Sequence, residues 1–198
     1  MSTGPPESTR EKLLEAADAL FVERGYHGVG LDAVARRARV TRQTVYNIFG
    51  SKAGLLAALT AYVEDRAGLP ARVANVMAQT DGLSMLRAML DAGVTVEPLV
   101  LPYSRVVHAA RLDDPTAAEL WANRMGSRLM GMTMVMNRLQ ADGLLRDGLS
   151  PTAAAEIAWA LMSPHHYELL VVDRGWAVER YREHLEALVR CAILKPGR

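Results

Sequence analysis

"VTRQTVYNIFGSK", residues 40–52, sets an Arg, a Gln, two Thr, a Tyr and a Lys among only four large apolar residues. Two helix starts are predicted inside it, at Thr41 and at Ser51, and each is followed at once by a cation, Arg42 and Lys52. A helix N-terminus carries partial positive charge, so a cation placed there is unfavourable unless an anion lies in front of it. The stretch asks for a negative partner.

The surroundings sharpen the question. Between Arg36 and Lys52 there are five cations (Arg36, Arg37, Arg39, Arg42, Lys52) and no carboxylate. The whole chain of 198 residues has a net charge of only +1, so this is a local basic patch on a near-neutral protein. Half the residues are hydrophobic and 23% are charged, which excludes a disordered chain and leaves one or two compact domains. A single cysteine, Cys191, excludes an internal disulfide framework and a Cys-based zinc cluster, and its apolar neighbours predict a buried structural thiol. With no apolar segment near 18 residues and no signal-like start, the expectation is a cytoplasmic protein with no membrane partner. Of the 23 cations only Lys12, Lys52 and Lys195 are lysines, a bias associated with GC-rich bacterial genomes.

Apolar residues recur at spacings of 3 and 4 throughout, which predicts an all-α fold. Residues 1–7 read as a disordered start. Ser8 and Glu11 form a capping box for a first helix closed by Gly25, with Leu13, Ala17, Leu20 and Phe21 on one face. "LDAVARRA" (31–38) is a second, short helix; Arg39 and Val40 make a tight turn; Thr41 caps a third, which ends at Gly50. Ser51 caps a fourth, running toward Gly68. The division expected is a helix-turn-helix domain over 8–50 and a helical ligand-binding and dimerisation domain over 51–198. In the latter, Pro98 and Pro102 should interrupt one helix, residues 114–143 should form the longest, and "SPTAAAEIAWALMSPHHYELLVVDRG" (150–175) should be the penultimate.

On the third helix Val45, Ile48 and Phe49 are expected to face inward against Leu31, Val34 and Phe21. Arg42, Gln43, Tyr46 and Asn47 then face outward. Arg and Gln are the common readers of guanine and adenine in the DNA major groove. Lys52 and Tyr46 have the reach for flanking phosphates, and Thr41 both caps the helix and presents a hydroxyl to a phosphate. DNA phosphate is the negative partner that the cations require. A purely structural three-helix core is the competing reading. "GSK" at 50–52 has neither the Gly-rich loop nor the preceding strand of a nucleotide-binding motif.

Residues 9–62 resemble the DNA-binding domain of the TetR family of one-component transcriptional repressors. The resemblance is carried by Phe21, Gly25, Tyr26, Val34, Ala35, Ala38, Val40, Thr44, Tyr46, Phe49, Lys52 and Leu55. It departs from the family pattern at Arg39, where Gly is usual, and at Gly30, where Thr or Ser is usual. The resemblance implies a homodimer that binds a palindromic double-stranded DNA operator and is released by a small-molecule effector, without a cofactor. It also implies that Thr41, Arg42, Gln43, Thr44, Tyr46 and Lys52 are DNA contacts. "LMSPHHYELLVVDRGWAVERYREHL" (161–185) more loosely resembles the dimerising helices of actinobacterial members.

Met125, Met130, Met132, Met134 and Met136 form a stripe that suits either a core or an adaptable cavity. The candidate pocket residues for a largely hydrophobic effector are Met89, Tyr103, His108, Trp121, Met125 and Met132, each with ordinary packing as its alternative. His165 and His166 lack the further ligands that a metal site needs. Val178, Tyr181, Leu185, Leu188 and Ala192 step by 3 and 4 along the last helix. With Trp159, Met162, His166 and Leu169 they suggest a two-fold four-helix interface, the alternative being an intramolecular core. No Ser-His-acid order, metal set or cofactor motif supports an enzyme. An architectural DNA-binding protein without an effector is the third hypothesis.

Overall fold

The computed structural model describes residues 8–197, so the start expected to be disordered at 1–7 lies outside the described residues. Ten α-helices are described: α1 (Thr9–Arg24), α2 (Leu31–Ala38), α3 (Arg42–Phe49), α4 (Lys52–Arg66), α5 (Leu69–Met77), α6 (Gly82–Ala110), α7 (Pro115–Ala141), α8 (Pro151–Leu161), α9 (Pro164–Tyr167) and α10 (Val178–Ile193). A π-helical segment, Glu168–Asp173, follows α9. One isolated antiparallel bridge, Leu145 with Leu194, is the only β pairing among the described residues. No helix among them is long and apolar enough to cross a membrane.

The helices fall into two compact units. One comprises the described residues up to Val63 together with Pro102–Ala122; the other comprises Glu64–Leu101 together with the described residues from Asn123 onward. In the first unit α1 starts with the predicted capping box: Ser8 Oγ accepts from the Glu11 amide and the Glu11 carboxylate accepts from the Ser8 amide. Leu13, Leu14, Ala17, Leu20 and Phe21 of α1 are buried with Val34, Ala35 and Val45. Leu55, Leu56 and Leu59 of α4 belong to the same core, which therefore runs past residue 50, the boundary expected for this domain. Each such large side chain, fully buried, contributes about 1.5–3 kcal/mol. That burial, and not helix propensity, holds helices as short as the eight-residue α2 and α3.

The second unit is built on α6, α7, α8 and α10. Leu86, Met89, Leu90, Val94 and Leu101 meet Met132, Val135, Met136 and Leu139. The small side chains of Ala154, Ala155 and Ala158 are fully buried on α8, which packs against α10. Several expectations are corrected here. Pro98 and Pro102 do not interrupt their helix: α6 runs unbroken for 29 residues and is longer than α7, at 27. Each ring removes one amide donor, yet Val94, Val96, Val100 and Leu101 are all buried on this stretch, and that packing outweighs the lost bonds. The penultimate helix is broken at Met162–Ser163, because Ser163 caps a new helix with Pro164 in its first turn. Cys191 is exposed, since the buried row of α10 is Tyr181, Leu185, Val189 and Ile193 and Cys191 lies off it.

Arg39 closes α2 at φ 57°, ψ 42°, the left-handed region, and is the one non-glycine with positive φ among the described residues. A β-carbon costs about 1–2 kcal/mol there, partly offset by glycine's greater entropy when unfolded. Arg39→Gly is expected to stabilise the fold by about 0.5–1 kcal/mol and raise Tm by about 1–4 °C. Thermal and urea unfolding read this directly; a loss of stability would mean that the Arg39 side chain contributes more than its backbone strain costs.

Candidate nucleic-acid interface

α3 has one buried residue, Val45, at 0% exposure. Fixing that residue against α1 and α2 fixes the rotation of the whole helix, and Arg42, Gln43, Tyr46 and Asn47 are all exposed. Phe49 is partly buried, with the Arg10 guanidinium 5.7 Å from its ring centroid. Ile48, expected to face inward, is 38% exposed, because an eight-residue helix on two neighbours buries a narrow stripe that Val45 and Phe49 already fill.

The N-terminus of α3 is formed as the sequence predicts. Thr41 Oγ1 accepts from the Thr44 amide at 3.1 Å and lies 2.9 Å from the Thr44 hydroxyl. Arg36, Arg37, Arg39 and Arg42 are exposed along the turn. Arg37 and Arg39 also line a cleft of about 610 Å³ with Thr9, Lys12 and Glu15. The outward side chains are paired within the chain. Arg42 Nη1 lies 3.2 Å from Asp32 Oδ2, and Gln43 Nε2 donates to Asn47 Oδ1 at 2.7 Å. Asp32, in the first turn of α2, is a functional candidate that sequence reasoning missed. Its signal was available: it is the nearest carboxylate upstream of the basic run.

Lys52, in the first turn of α4, is partly buried. Its Nζ sits 4.2 Å from the centroid of the Tyr26 ring, and the Tyr26 hydroxyl donates to Asp114. Burial lowers the Lys52 ammonium from its ordinary pKa and Asp114 opposes this. The Tyr26 hydrogen bond holds the Asp114 carboxyl below its ordinary value, helped by the Ala117 and Thr116 amides. Asp114 also accepts from those two amides at the start of α7. Lys52 is therefore positioned by residues 26 and 114, which no local sequence window brings together.

The pocket candidates divide between the two units. Tyr103, His108 and Trp121 belong to the first unit: Tyr103 donates to Asp18 at 2.5 Å, and the His108 and Trp121 rings meet edge-on at 4.9 Å. Met89, Met125 and Met132 belong to the second, where Met89 and Met132 are core. Met125 is partly buried and its carbonyl accepts from Trp159 Nε1 at 3.3 Å. Among the interface candidates, Met162, Tyr181 and Leu185 are 6%, 2% and 2% exposed, so the chain's own core already uses them. Steps of four along α10 select Tyr181, Leu185, Val189 and Ile193, and this row displaces the expected seam. Leu169 is exposed, and Trp159, His166 and Leu188 are partly buried. His166 Nδ1 donates to the Leu161 carbonyl at 2.6 Å, which caps the end of α8.

Asp114 is a carboxylate whose folded pKa is depressed, so its contribution to stability is present above the ordinary carboxylate range and lost as pH falls through its folded value. Tyr26→Phe is expected to cost about 1 kcal/mol at neutral pH. The gap from the parent should narrow at a pH well below the ordinary carboxylate range, where Asp114 is protonated in the folded chain as well. Urea unfolding at both pH values tests this, and a gap that does not change with pH would remove Asp114 from the account.

Residues 13–59 match the family model for bacterial regulatory proteins of the tetR family. The chain is 39% identical over 90 residues to the HTH-type transcriptional activator FasR of Mycolicibacterium smegmatis, covering 44% of this chain and 40% of that protein. It is 26% identical over 147 residues to the HTH-type transcriptional regulator YdeS of Bacillus subtilis, covering 72% of this chain and 66% of that one. The matches thus span less than two thirds of either relative's length. A transcriptional regulator from Saccharomonospora viridis, solved in complex with choline, superposes with a TM-score of 0.75 at 21% identity, over 94% of this chain and 97% of that one. The helix-turn-helix residues described above lie inside the matched region, so residues 13–59 are a domain of the tetR family of bacterial regulatory proteins, and the fold agrees with that solved structure along nearly the whole chain.

Proposed function

We propose that the protein is a transcriptional repressor that binds a palindromic operator as a homodimer and is released by a small, largely hydrophobic effector. The observation that carries this reading is the outward face of α3. Arg42, Gln43, Tyr46 and Asn47 stand exposed beside three further exposed arginines, in a stretch without a carboxylate. In this reading the first turn of α3 enters the major groove, Arg42 and Gln43 read base edges, and Thr41, Thr44, Tyr46 and Lys52 hold phosphates. Arg42 must leave Asp32, and Gln43 must leave Asn47, to do so.

Dimerisation is supported by apolar residues on α8, α10 and the π-helical segment that the chain does not cover. Ile157, Leu169 and Val172 are 36%, 43% and 49% exposed, and Leu188 is partly buried. Trp159 and His166 flank them in this proposal. An effector site in the second unit is supported by its methionine-rich interior, with Met85, Met89, Met132, Met136 and Met162 all buried. Methionine repacks around irregular guests, and the related Saccharomonospora viridis protein was solved with a small molecule. An effector would act by favouring one spacing of the paired α3 helices over the spacing that matches the half-sites.

Selection of bound duplexes from a random pool, followed by anisotropy titration across salt, tests the reading. A palindromic consensus is expected, with log K falling against log salt by about 0.9 per phosphate contact. Failure to enrich any duplex at low salt would overturn it. On the selected site Arg42→Ala should lose about tenfold to a hundredfold in affinity and relax the consensus at one position, the worth of about 1–3 kcal/mol for a base contact. Asp32→Ala should instead raise affinity up to about fivefold by freeing Arg42 from a surface ion pair worth about 0.2–1 kcal/mol. Ile157→Arg combined with Leu188→Arg should give a monomer in sedimentation; a variant that remains dimeric would move the interface elsewhere.

A further inference from the structure

The second unit contains charged groups that its own packing leaves incomplete. Glu97, on α6 between apolar neighbours, is 9% exposed, and its Oε1 is buried without a hydrogen-bond partner. Arg124, one of two guanidiniums that act on it, binds Glu64 through Nη2 at 2.9 Å, while its Nη1 is likewise buried without a partner. Arg128, the other, donates from Nη2 to the Met162 carbonyl at 2.6 Å, at the C-terminal cap of α8. The buried phenols of Tyr167 and Tyr181, edge-to-face at 5.1 Å, also feel the Glu97 charge.

Each unfilled buried polar atom costs about 1–3 kcal/mol, and native interiors rarely tolerate one. Here an acid and a base with one unfilled position each share a single electrostatic cluster. Burial raises the Glu97 carboxyl from its ordinary pKa, with the two guanidiniums opposing. Arg124 Nη1 is an unfilled donor, so the cluster lacks an acceptor there, and Glu97 Oε1 donates to the same acceptor when it carries a proton. Two guanidiniums beside the carboxyl disfavour a cationic guest and favour an anionic one. Val94 and Leu101, a turn to either side of Glu97 on α6, are buried in the same core as Met89, Met132 and Met162.

We propose that this cluster receives the head group of the effector, and that the effector is an apolar organic carboxylate. Its carboxylate accepts from Arg124 Nη1 and from the Glu97 carboxyl, and its hydrocarbon part lies against the methionine-rich interior. The inference rests on the reading of the second unit as the effector-binding part.

Calorimetric titration of the full-length protein with octanoate, decanoate and benzoate tests it, with decanol and decyltrimethylammonium as head-group controls. At least one carboxylate should bind, and neither control should bind comparably. Arg124→Met should weaken that binding about tenfold or more, the worth of a hydrogen bond to a charged group. Should that variant fail to fold, Arg124→Lys, which keeps the charge and loses the fork, should weaken it as well. Glu97→Gln retains a neutral donor and should leave carboxylate binding nearly unchanged. Equal binding of decanol overturns the head-group assignment. So does preferential binding of decyltrimethylammonium that is lost in Glu97→Gln, since Glu97 would then be ionised and accepting a cation. Binding of none of the probes overturns it too, water being then the occupant. Duplex selection with the unliganded protein separates the two readings. Selection of a palindrome without carboxylate binding overturns this inference alone; carboxylate binding without DNA selection overturns the regulator reading alone.

Discussion

The burial of Val45 is the constraint from which the candidate interface follows. A helix of eight residues has one stripe to give to a core, and Val45 sits at its centre with no exposed surface. Once that side chain is seated against α1 and α2, the azimuth of every other residue on α3 is determined by the helical repeat. The exposure of Arg42, Gln43, Tyr46 and Asn47 is the geometric remainder of one apolar contact. It costs the chain little, because Phe21, Leu55 and Leu59 supply the burial that α3 itself does not.

Residues 8–50 were largely legible because their signals are local. Capping hydroxyls at Ser8 and Thr41, the closing glycines Gly25 and Gly50, and the i, i+3, i+4, i+7 spacing from Leu31 to Ala38 each act within a few residues. The left-handed turn at Arg39 was legible too, as a departure from the glycine usually found there. Ile48 was misplaced because period alone does not say how wide a stripe the neighbours cover. Farther along, the determinants are contacts between distant residues. Pro98 and Pro102 argue for a break, and only the packing around them overrides that. The stripe on α10 suited a partner helix as well as it suited the chain's own core, and Tyr181 and Leu185 went to the core.

The candidate effector residues show the same limit. Tyr103 and Trp121 are chemically suited to a pocket, but they share a unit with Phe21, whereas Met89 and Met132 share one with Tyr181. The polar group that stands out in the second unit, Glu97, was visible in the sequence as the one acid in the apolar run from Ala92 to Tyr103. Its partners, Arg124 and Arg128, lie a whole helix later. Residue type alone does not join positions so far apart; the antiparallel run of α6 and α7 within that unit does.

The ion pair between Arg42 and Asp32 changes what an ionic-strength measurement counts. Added salt screens contacts to a polyanion, but it also loosens this exposed pair in the free chain, so unbound Arg42 becomes less occupied as salt rises. The two effects act in opposite directions on association. The apparent number of counterions displaced from DNA would then fall short of the number of phosphates touched, by a deficit that belongs to the protein. Two regulators with the same contacts, one with an acid at position 32 and one without, would differ in their tolerance of osmotic and ionic stress.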